Sequence, residues 1–324
     1  MRAFQIAALD GPDALEPVER PDPEPSHFMS PGAGVVIDVW AAGVSFPDLL
    51  MSRGLYQMKP ELPFVPGGEV AGTVVSAGDG FSPGDRVAAM PVIGGFAERA
   101  VAPPMLTFPL PDALDWAQGA ALVLNYHTAL FALQTRGHLI AGETVLVHGA
   151  AGGVGTAALQ VAHALGARTI AVVSSDEKER VAREAGADEV VRSDGAWKDE
   201  ARSLSDGGVD LVLDPVGGDR FTDSLRSLRE GGRVVVVGFT GGSIPEVRVN
   251  RLLLNNVSVV GAGWGGYAMG KPDFLSETGE ALERMIEAGD VRPVVGVRLR
   301  FEDAAEALRL IDRREALGKV VLER

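Results

Sequence analysis

One stretch constrains this chain more than any other: Thr144-Val145-Leu146-Val147-His148-Gly149-Ala150-Ala151-Gly152-Gly153-Val154-Gly155, running directly into Thr156–Leu165. A β-branched apolar run meets glycines spaced G-x-x-G-x-x-G, and an Ala-rich segment without proline follows. That order is strand, tight turn, helix, the context that a dinucleotide fingerprint requires. Its glycines serve a sharp turn, backbone approach to a pyrophosphate, and close packing of helix on strand. The helix start then offers free N–H groups and a partial positive charge to phosphate. Gly149, Ala151, Gly152, Gly153, Val154 and Gly155 are therefore candidate cofactor contacts.

Around this stretch the texture changes twice. From about Leu122, strands (Thr144–His148, Thr169–Val173, Glu189–Arg192, Val209–Leu213, Arg233–Gly238, Val257–Gly261) alternate with helical patterns. Right-handed crossovers between such units build an α/β doubly wound parallel sheet. Before it, short strands broken by Gly and Pro suggest a partly closed antiparallel barrel. The Pro- and Asp-rich stretch after Ala7 reads as an extended surface loop. The tail (Val294–Leu299, Glu302–Ile311, Lys319–Leu322) is expected to rejoin the first domain. The expected division is 1–121 plus 290–324 around an inserted 122–289.

Composition removes several classes. With no cysteine in 324 residues, disulfides, thiolate catalysis and cysteine-ligated zinc are excluded. A net charge of −14 with no basic run argues against nucleic acid. No apolar run approaches the roughly 18 residues that span a bilayer, and Met1–Ile6 lacks a signal-peptide core, so a cytoplasmic location is expected.

Further motifs occur in a telling order: Ala42-Gly43-Val44-Ser45-Phe46-Pro47-Asp48, Arg53-Gly54-Leu55-Tyr56, Pro66-Gly67-Gly68-Glu69-Val70-Ala71-Gly72, Gly84-Asp85-Arg86-Val87, Gly95-Phe96-Ala97-Glu98, the Gly-rich turn, Asp214-Pro215-Val216-Gly217-Gly218 and Gly318-Lys319-Val320-Val321-Leu322. Together they resemble the medium-chain dehydrogenase/reductase superfamily, on its zinc-free quinone oxidoreductase branch, over nearly the whole chain. The resemblance implies a Rossmann sheet inserted in a GroES-like catalytic domain built from both chain ends. Zinc-dependent relatives hold their metal with a Cys after the G-V/I pair, a His in a G-H-E turn and a later Cys. The first two places are Ser45 and Gly68 here, and the five histidines have no pair at short ligand spacing, so no metal is expected.

Without a metal, an acceptor must take hydride with little Lewis-acid help. Quinones and alkenes conjugated to a carbonyl do so, because the incoming charge spreads to a distant oxygen; the protein aligns the partners and excludes water. The resemblance implies Tyr56 as candidate proton donor, or as an aromatic contact at the nicotinamide end. Ser45 stands where the branch commonly has Asn and is a candidate contact to ribose or substrate. Asp48 is read as an anchor for the site ahead of a catalytic acid. Thr128, in Asn125-Tyr126-His127-Thr128-Ala129, is a candidate nicotinamide-side contact, with Tyr126 a candidate for the substrate pocket.

For the ribose, NAD-specific folds place an acid about 20 residues past the glycines. Ser174 stands nineteen past Gly155, followed by Ser175 and Lys178, which favours NADPH. Asp176 is the counter-argument, read as an early-helix acid. Ser193 replaces the branch's Tyr, with Arg192 beside it as a substitute cation or a solvated residue. Gly217, Gly238, Phe239, Thr240, Gly263, Trp264 and Lys319 complete the implied cofactor contacts, and Trp264 with Tyr267 is a candidate apolar wall. In this superfamily the edge formed by a late strand like Val257–Gly261 often pairs with its own copy, so the resemblance implies a homodimer. The expectation is a reductase of quinones or enones. The rivals are an enoyl- or acryloyl-CoA-type thioester reductase, with Arg53 and Lys59 flanking Tyr56, and an NADPH-binding sensor or structural protein with little turnover.

Overall fold

The computed structural model describes residues 1–76 and 80–324. Its strands are, in chain order, β1 (Arg2–Ile6), β2 (Leu15–Glu19), β3 (Val35–Val44), β4 (Glu69–Ser76), β5 (Arg86–Ala89), β6 (Arg99–Ala102), β7 (Thr107–Pro109), β8 (Thr144–His148), β9 (Arg168–Val173), β10 (Glu189–Arg192), β11 (Val209–Asp214), β12 (Leu228–Val236), β13 (Ser258–Gly261), β14 (Val295–Arg300) and β15 (Lys319–Glu323). Two compact units contain them: Met1–Leu124 with Pro293–Arg324, and Asn125–Arg292.

In the first unit the sheet order is β14-β15-β3-β4-β5-β7, with β6 also on β3. The C-terminal strand β15 lies antiparallel to β3, pairing Val320 with Val44 and Leu322 with Ala42. This pairing gives the backbone of β3 a partner out to Val44. Val35, Ile37, Val39, Val70, Val87, Phe96, Leu308 and Leu322 fill the core. One expectation fails here. The Pro-rich segment after Ala7 is not one long loop, because Leu15–Glu19 pairs antiparallel with β1. Pro17 is tolerated because this ribbon has only two strands, so a missing N–H breaks no interior ladder.

The second unit carries a six-stranded sheet, β10-β9-β8-β11-β12-β13, parallel throughout. Its inner strands β8, β9 and β11 are buried and largely apolar, as in a parallel sheet packed on both faces, whereas the edge strand β13 is mostly exposed. The order reverses at β8: from there the chain goes outward to β9 and β10, then returns to β11 on the other side. That is a topological switch point, where α/β sheets bind ligands beyond the carboxyl ends of their strands. Among the described residues no helix is long and apolar enough to cross a membrane.

Candidate functional site

The fingerprint sits at the end of β8. Gly149 has φ of +58°, which glycine accepts without strain. A Cβ on Gly155 would lie 2.2 Å from the Gly149 carbonyl oxygen, so glycine there is demanded by the helix packing onto its own turn. Gly152 differs: a Cβ would meet only the Gly149 oxygen, at 3.4 Å, and φ of −91° suits any residue. No protein neighbour asks for glycine at this position. It heads the helix Gly153–Ala164, which lacks a side-chain cap, and Thr156 is the first residue to bond back, to Gly152. An uncapped helix start, with room at its first residue, fits a pyrophosphate.

Sequence reasoning passed over Asn125, whose side chain lies where a Cβ on Gly153 would come, 2.7 Å from Nδ2. Its only signal was its place beside Tyr126 and Thr128. Tyr126 is buried and donates its hydroxyl to Gln160 Oε1 at 2.8 Å, and Thr128 is buried in the same helix.

At the end of β9 five expected residues come together. Lys178 Nζ donates to Ser174 Oγ at 3.2 Å, and Arg192 Nη2 donates to the Ser174 carbonyl at 3.0 Å. Ser175 Oγ caps the next helix by accepting from the Lys178 N–H, and the Ser193 N–H donates to the Val173 carbonyl at 2.8 Å. Asp176 is turned to Arg192, 2.5 Å from its guanidinium. Lys178 and the serine hydroxyls, with no carboxylate at position 174 and with Arg192 partly neutralised by Asp176, leave room for a phosphate ester.

Beyond β11, both polar ends of Asp214 are buried, and Oδ1 accepts from the N–H groups of Val216 and Gly217, each at 2.9 Å. Burial pushes this carboxyl up from its usual range, against the pull of those two amides. Thr240 closes the rim, donating its N–H and hydroxyl to the Pro215 carbonyl, and Phe239 lies against Gly217. Gly263 opens the short helix Trp264–Ala268. Trp264 is buried against His127, ring centroids 5.6 Å apart, whereas the half-exposed Tyr267 packs on Phe131 and Phe274 and carries Lys271 over its face.

The catalytic candidates lie in the first unit. Asp48 sends both oxygens to backbone: Oδ2 accepts from the Ser45 N–H at 2.8 Å and Oδ1 from Gly67 at 3.0 Å. It therefore ties the start of the helix Phe46–Ser52 to the glycine turn before β4, the arrangement of an anchor. Burial pushes its carboxyl up to about 6, against the pull of those amides and of Lys319. Tyr56 is half-buried on Ile6, Met51 and Phe64, and its hydroxyl makes no hydrogen bond to a described residue. Burial, then the charge of Asp48, pushes this phenol up, so it keeps its proton at neutral pH.

Ser45 meets two groups from distant sequence. Lys319 Nζ donates to Ser45 Oγ at 2.8 Å and to Glu69 Oε2. Glu69 Oε1 accepts from the Leu124 N–H at 2.7 Å. Lys319 was expected among the cofactor contacts; the structure places its ammonium in this buried cluster. Glu69 was not singled out at all. Arg53 is committed elsewhere, as a two-bond pair with Asp312 at 2.8 and 2.7 Å. Among the described residues no group of three or more His, Asp or Glu could hold a metal ion.

Comparison with known proteins agrees with this fold. Residues 31–112 match the alcohol dehydrogenase GroES-like domain, and residues 153–283 match a family described as zinc-binding dehydrogenase. The chain is 36% identical to quinone oxidoreductase of Rattus norvegicus, over 99% of this chain and 97% of that one. A probable oxidoreductase from Mycobacterium abscessus superposes with a TM-score of 0.89 at 42% identity, over 100% of this chain and 99% of the other. The quinone oxidoreductase of Thermus thermophilus, also solved with NADPH, superposes at 0.85 with 35% identity over both whole chains. The chain belongs to the quinone-oxidoreductase-like branch of the medium-chain dehydrogenase/reductase superfamily, a family of nicotinamide-dependent oxidoreductases.

Proposed function

We propose that the chain is a zinc-independent reductase transferring hydride from NADPH to quinones or α,β-unsaturated carbonyl compounds, acting in the cytoplasm as a homodimer. The observation that carries this reading is the cluster of Ser45, Glu69 and Lys319. Where zinc-dependent relatives supply thiolate and imidazole, this chain has Ser45 and Gly68, and an ammonium lies 2.8 Å from the Ser45 oxygen. A divalent cation bound at Ser45 would face that ammonium at close range, where like charges repel strongly. The acceptor must then be one whose own conjugation spreads the incoming electron pair.

The cofactor preference rests on Ser174, Lys178 and Arg192, which favour a 2′-phosphate and offer no carboxylate to a 2′-hydroxyl. When bound, NADPH supplies the hydride equivalent. The chain's own part is to hold the pyrophosphate on the N–H groups from Gly153 onward, exclude water and keep a protonated phenol at Tyr56. That proton, or one from water, completes the hydroquinone or the saturated carbonyl. The thioester alternative loses support because Arg53 is spent on Asp312, leaving Lys59 alone for the phosphates of a CoA. For the dimer, β13 is an edge strand with Val259 exposed, preceded by exposed Leu253 and Leu254. Val259→Lys is expected to give monomers by light scattering, and a persistent dimer would rule out that edge.

The deciding test is NADPH or NADH consumption by chelator-treated protein with benzoquinone, naphthoquinone, a simple enone and a crotonyl-type thioester. Quinone or enone turnover, faster with NADPH and insensitive to chelator, is expected. Turnover of the thioester alone refutes the reading in favour of an enoyl reductase. Tight NADPH binding with no turnover refutes it in favour of a sensor.

A further inference from the structure

The buried charges of the first unit are arranged for more than holding the fold. Lys319 is 4% exposed, Glu69 0% and Ser45 7%. The lysine cannot swing away: β15 pairs with β3 on the residue after it, and a Cβ on Gly43 would come 2.8 Å from its Cε. Glu69 is equally fixed, one oxygen on the Leu124 N–H and the other on the ammonium. A buried ion pair is seldom more stabilising than an apolar pair of the same volume, so stability alone is a poor reason for this one.

The consequence falls on the Ser45 hydroxyl, which has one proton to give and two lone pairs to accept with. One lone pair takes the Lys319 ammonium at 2.8 Å. The nearest acceptor for its proton is Glu69 Oε2 at 3.4 Å, long for an O–H···O bond, and that oxygen already receives the ammonium. That bond is the weaker of the two, so a ligand oxygen at ordinary distance would take the proton over, and a hydroxyl that accepts from a cation is a stronger donor. The ammonium's own third N–H has no acceptor among the described residues.

We propose that Lys319 is a positioning residue that, locked on Glu69, holds the Ser45 hydroxyl as a hydrogen-bond donor to the carbonyl oxygen of the quinone or enone acceptor. This rests on the reductase reading above. As hydride joins the acceptor carbon, the π electron pair moves to the carbonyl oxygen, and the Ser45 donor meets the charge developing there. No proton leaves Ser45; the oxygen or α-carbon is protonated by Tyr56 or water. A donor fixed in advance at such an oxygen is typically worth about 100-fold or more in turnover. The assignment takes Lys319 away from the cofactor contacts.

The test uses Ser45→Ala, the paired change Lys319→Met with Glu69→Gln (which removes both charges of the pair), and all three together. Each is measured for melting temperature, NADPH affinity, naphthoquinone turnover, and the infrared carbonyl stretch of ¹³C-labelled naphthoquinone bound to the NADP⁺ complex. In the wild type the stretch is expected to be shifted down by the Ser45 bond. Ser45→Ala and the paired variant each lose the shift and about 30- to 100-fold in kcat. NADPH affinity changes by less than about threefold, and the triple variant is no slower than Ser45→Ala, because the groups act as one unit. A carbonyl shift that survives in Ser45→Ala overturns the proposal whether or not the paired variant folds. So do losses that multiply in the triple variant, or a paired variant that melts earlier yet keeps shift and kcat. NADPH affinity weakened tenfold in the paired variant also overturns it, returning Lys319 to the cofactor. A wild type that neither binds nor reduces any quinone or enone refutes the reductase reading and this inference together, whereas every other failure leaves that reading standing.

Discussion

Two glycines three residues apart are expected to respond to alanine in opposite ways. At Gly155 a Cβ would sit 2.2 Å from the Gly149 oxygen and 2.7 Å from Ala150 Cα, both backbone atoms that cannot rotate aside. Turn and helix must separate, and overpacking of this kind costs about 1–3 kcal/mol. For a unit of this size each kcal/mol lowers Tm by about 2–4 °C, so Gly155→Ala should melt roughly 2–12 °C lower. At Gly152 the added methyl meets only one oxygen, at 3.4 Å, in a backbone conformation that alanine adopts freely. Removing glycine's freedom in the unfolded chain should stabilise the apo protein by about 0.4–1 kcal/mol. The same methyl would stand where the pyrophosphate approaches, and NADPH affinity should fall at least tenfold, about 1.4 kcal/mol. The assay is thermal unfolding with and without NADPH, together with titration calorimetry. A Gly152→Ala protein that binds NADPH like wild type refutes the placement of the pyrophosphate. A Gly155→Ala protein as stable as wild type refutes the packing argument.

Three further outcomes follow. Lys178→Ala with Arg192→Ala should weaken NADPH by about 10- to 100-fold and leave NADH within about twofold, read by fluorescence titration; equal losses for both would remove the 2′-phosphate role from these residues. Tyr56→Phe should slow enone reduction about 100-fold and quinone reduction far less, since a hydroquinone oxygen can take its proton from water; unchanged enone kcat would leave Tyr56 a packing residue. Asp48 binds its proton more tightly folded than unfolded, so it contributes stability that is present below about pH 4 and lost as pH rises toward 6. That loss is about 3 kcal/mol. Urea unfolding should show it in wild type and not in Asp48→Asn, and parallel pH profiles would show that Asp48 is not the titrating group.

Local patterns were read with few errors where one segment carries its own instruction. The strands Thr144–His148 and Glu189–Arg192 have the expected ends, because their apolar runs are bounded by turn residues on both sides. Leu15–Glu19 was missed because nothing within Leu15-Glu16-Pro17-Val18-Glu19 signals a strand; β1 supplies the partner that makes it one. The π-helical turn Phe131–Arg136 likewise has no signature in its own residues. Among candidate site residues, the placement of the fingerprint glycines and of the group at Ser174 was legible because a helix start and a strand end bring near neighbours together. Asn125 was not, because only the fold carries it to Gly153.

The sequence by itself determined the strand–turn–helix proposed to receive a dinucleotide, the absence of thiolates, and the neutral side chain at position 174. Each follows from residue type and short spacing, which local geometry converts directly into structure. The tertiary structure decided what the charges do. Lys319 and Glu69 are 250 residues apart and come together only because β15 lies beside β3 and β3 beside β4. Neither carries a sign of its partner, since an ammonium and a carboxylate read alone are ordinary surface groups. Their burial, and the hold they exert on Ser45, exist only once the two ends of the chain have closed the same sheet.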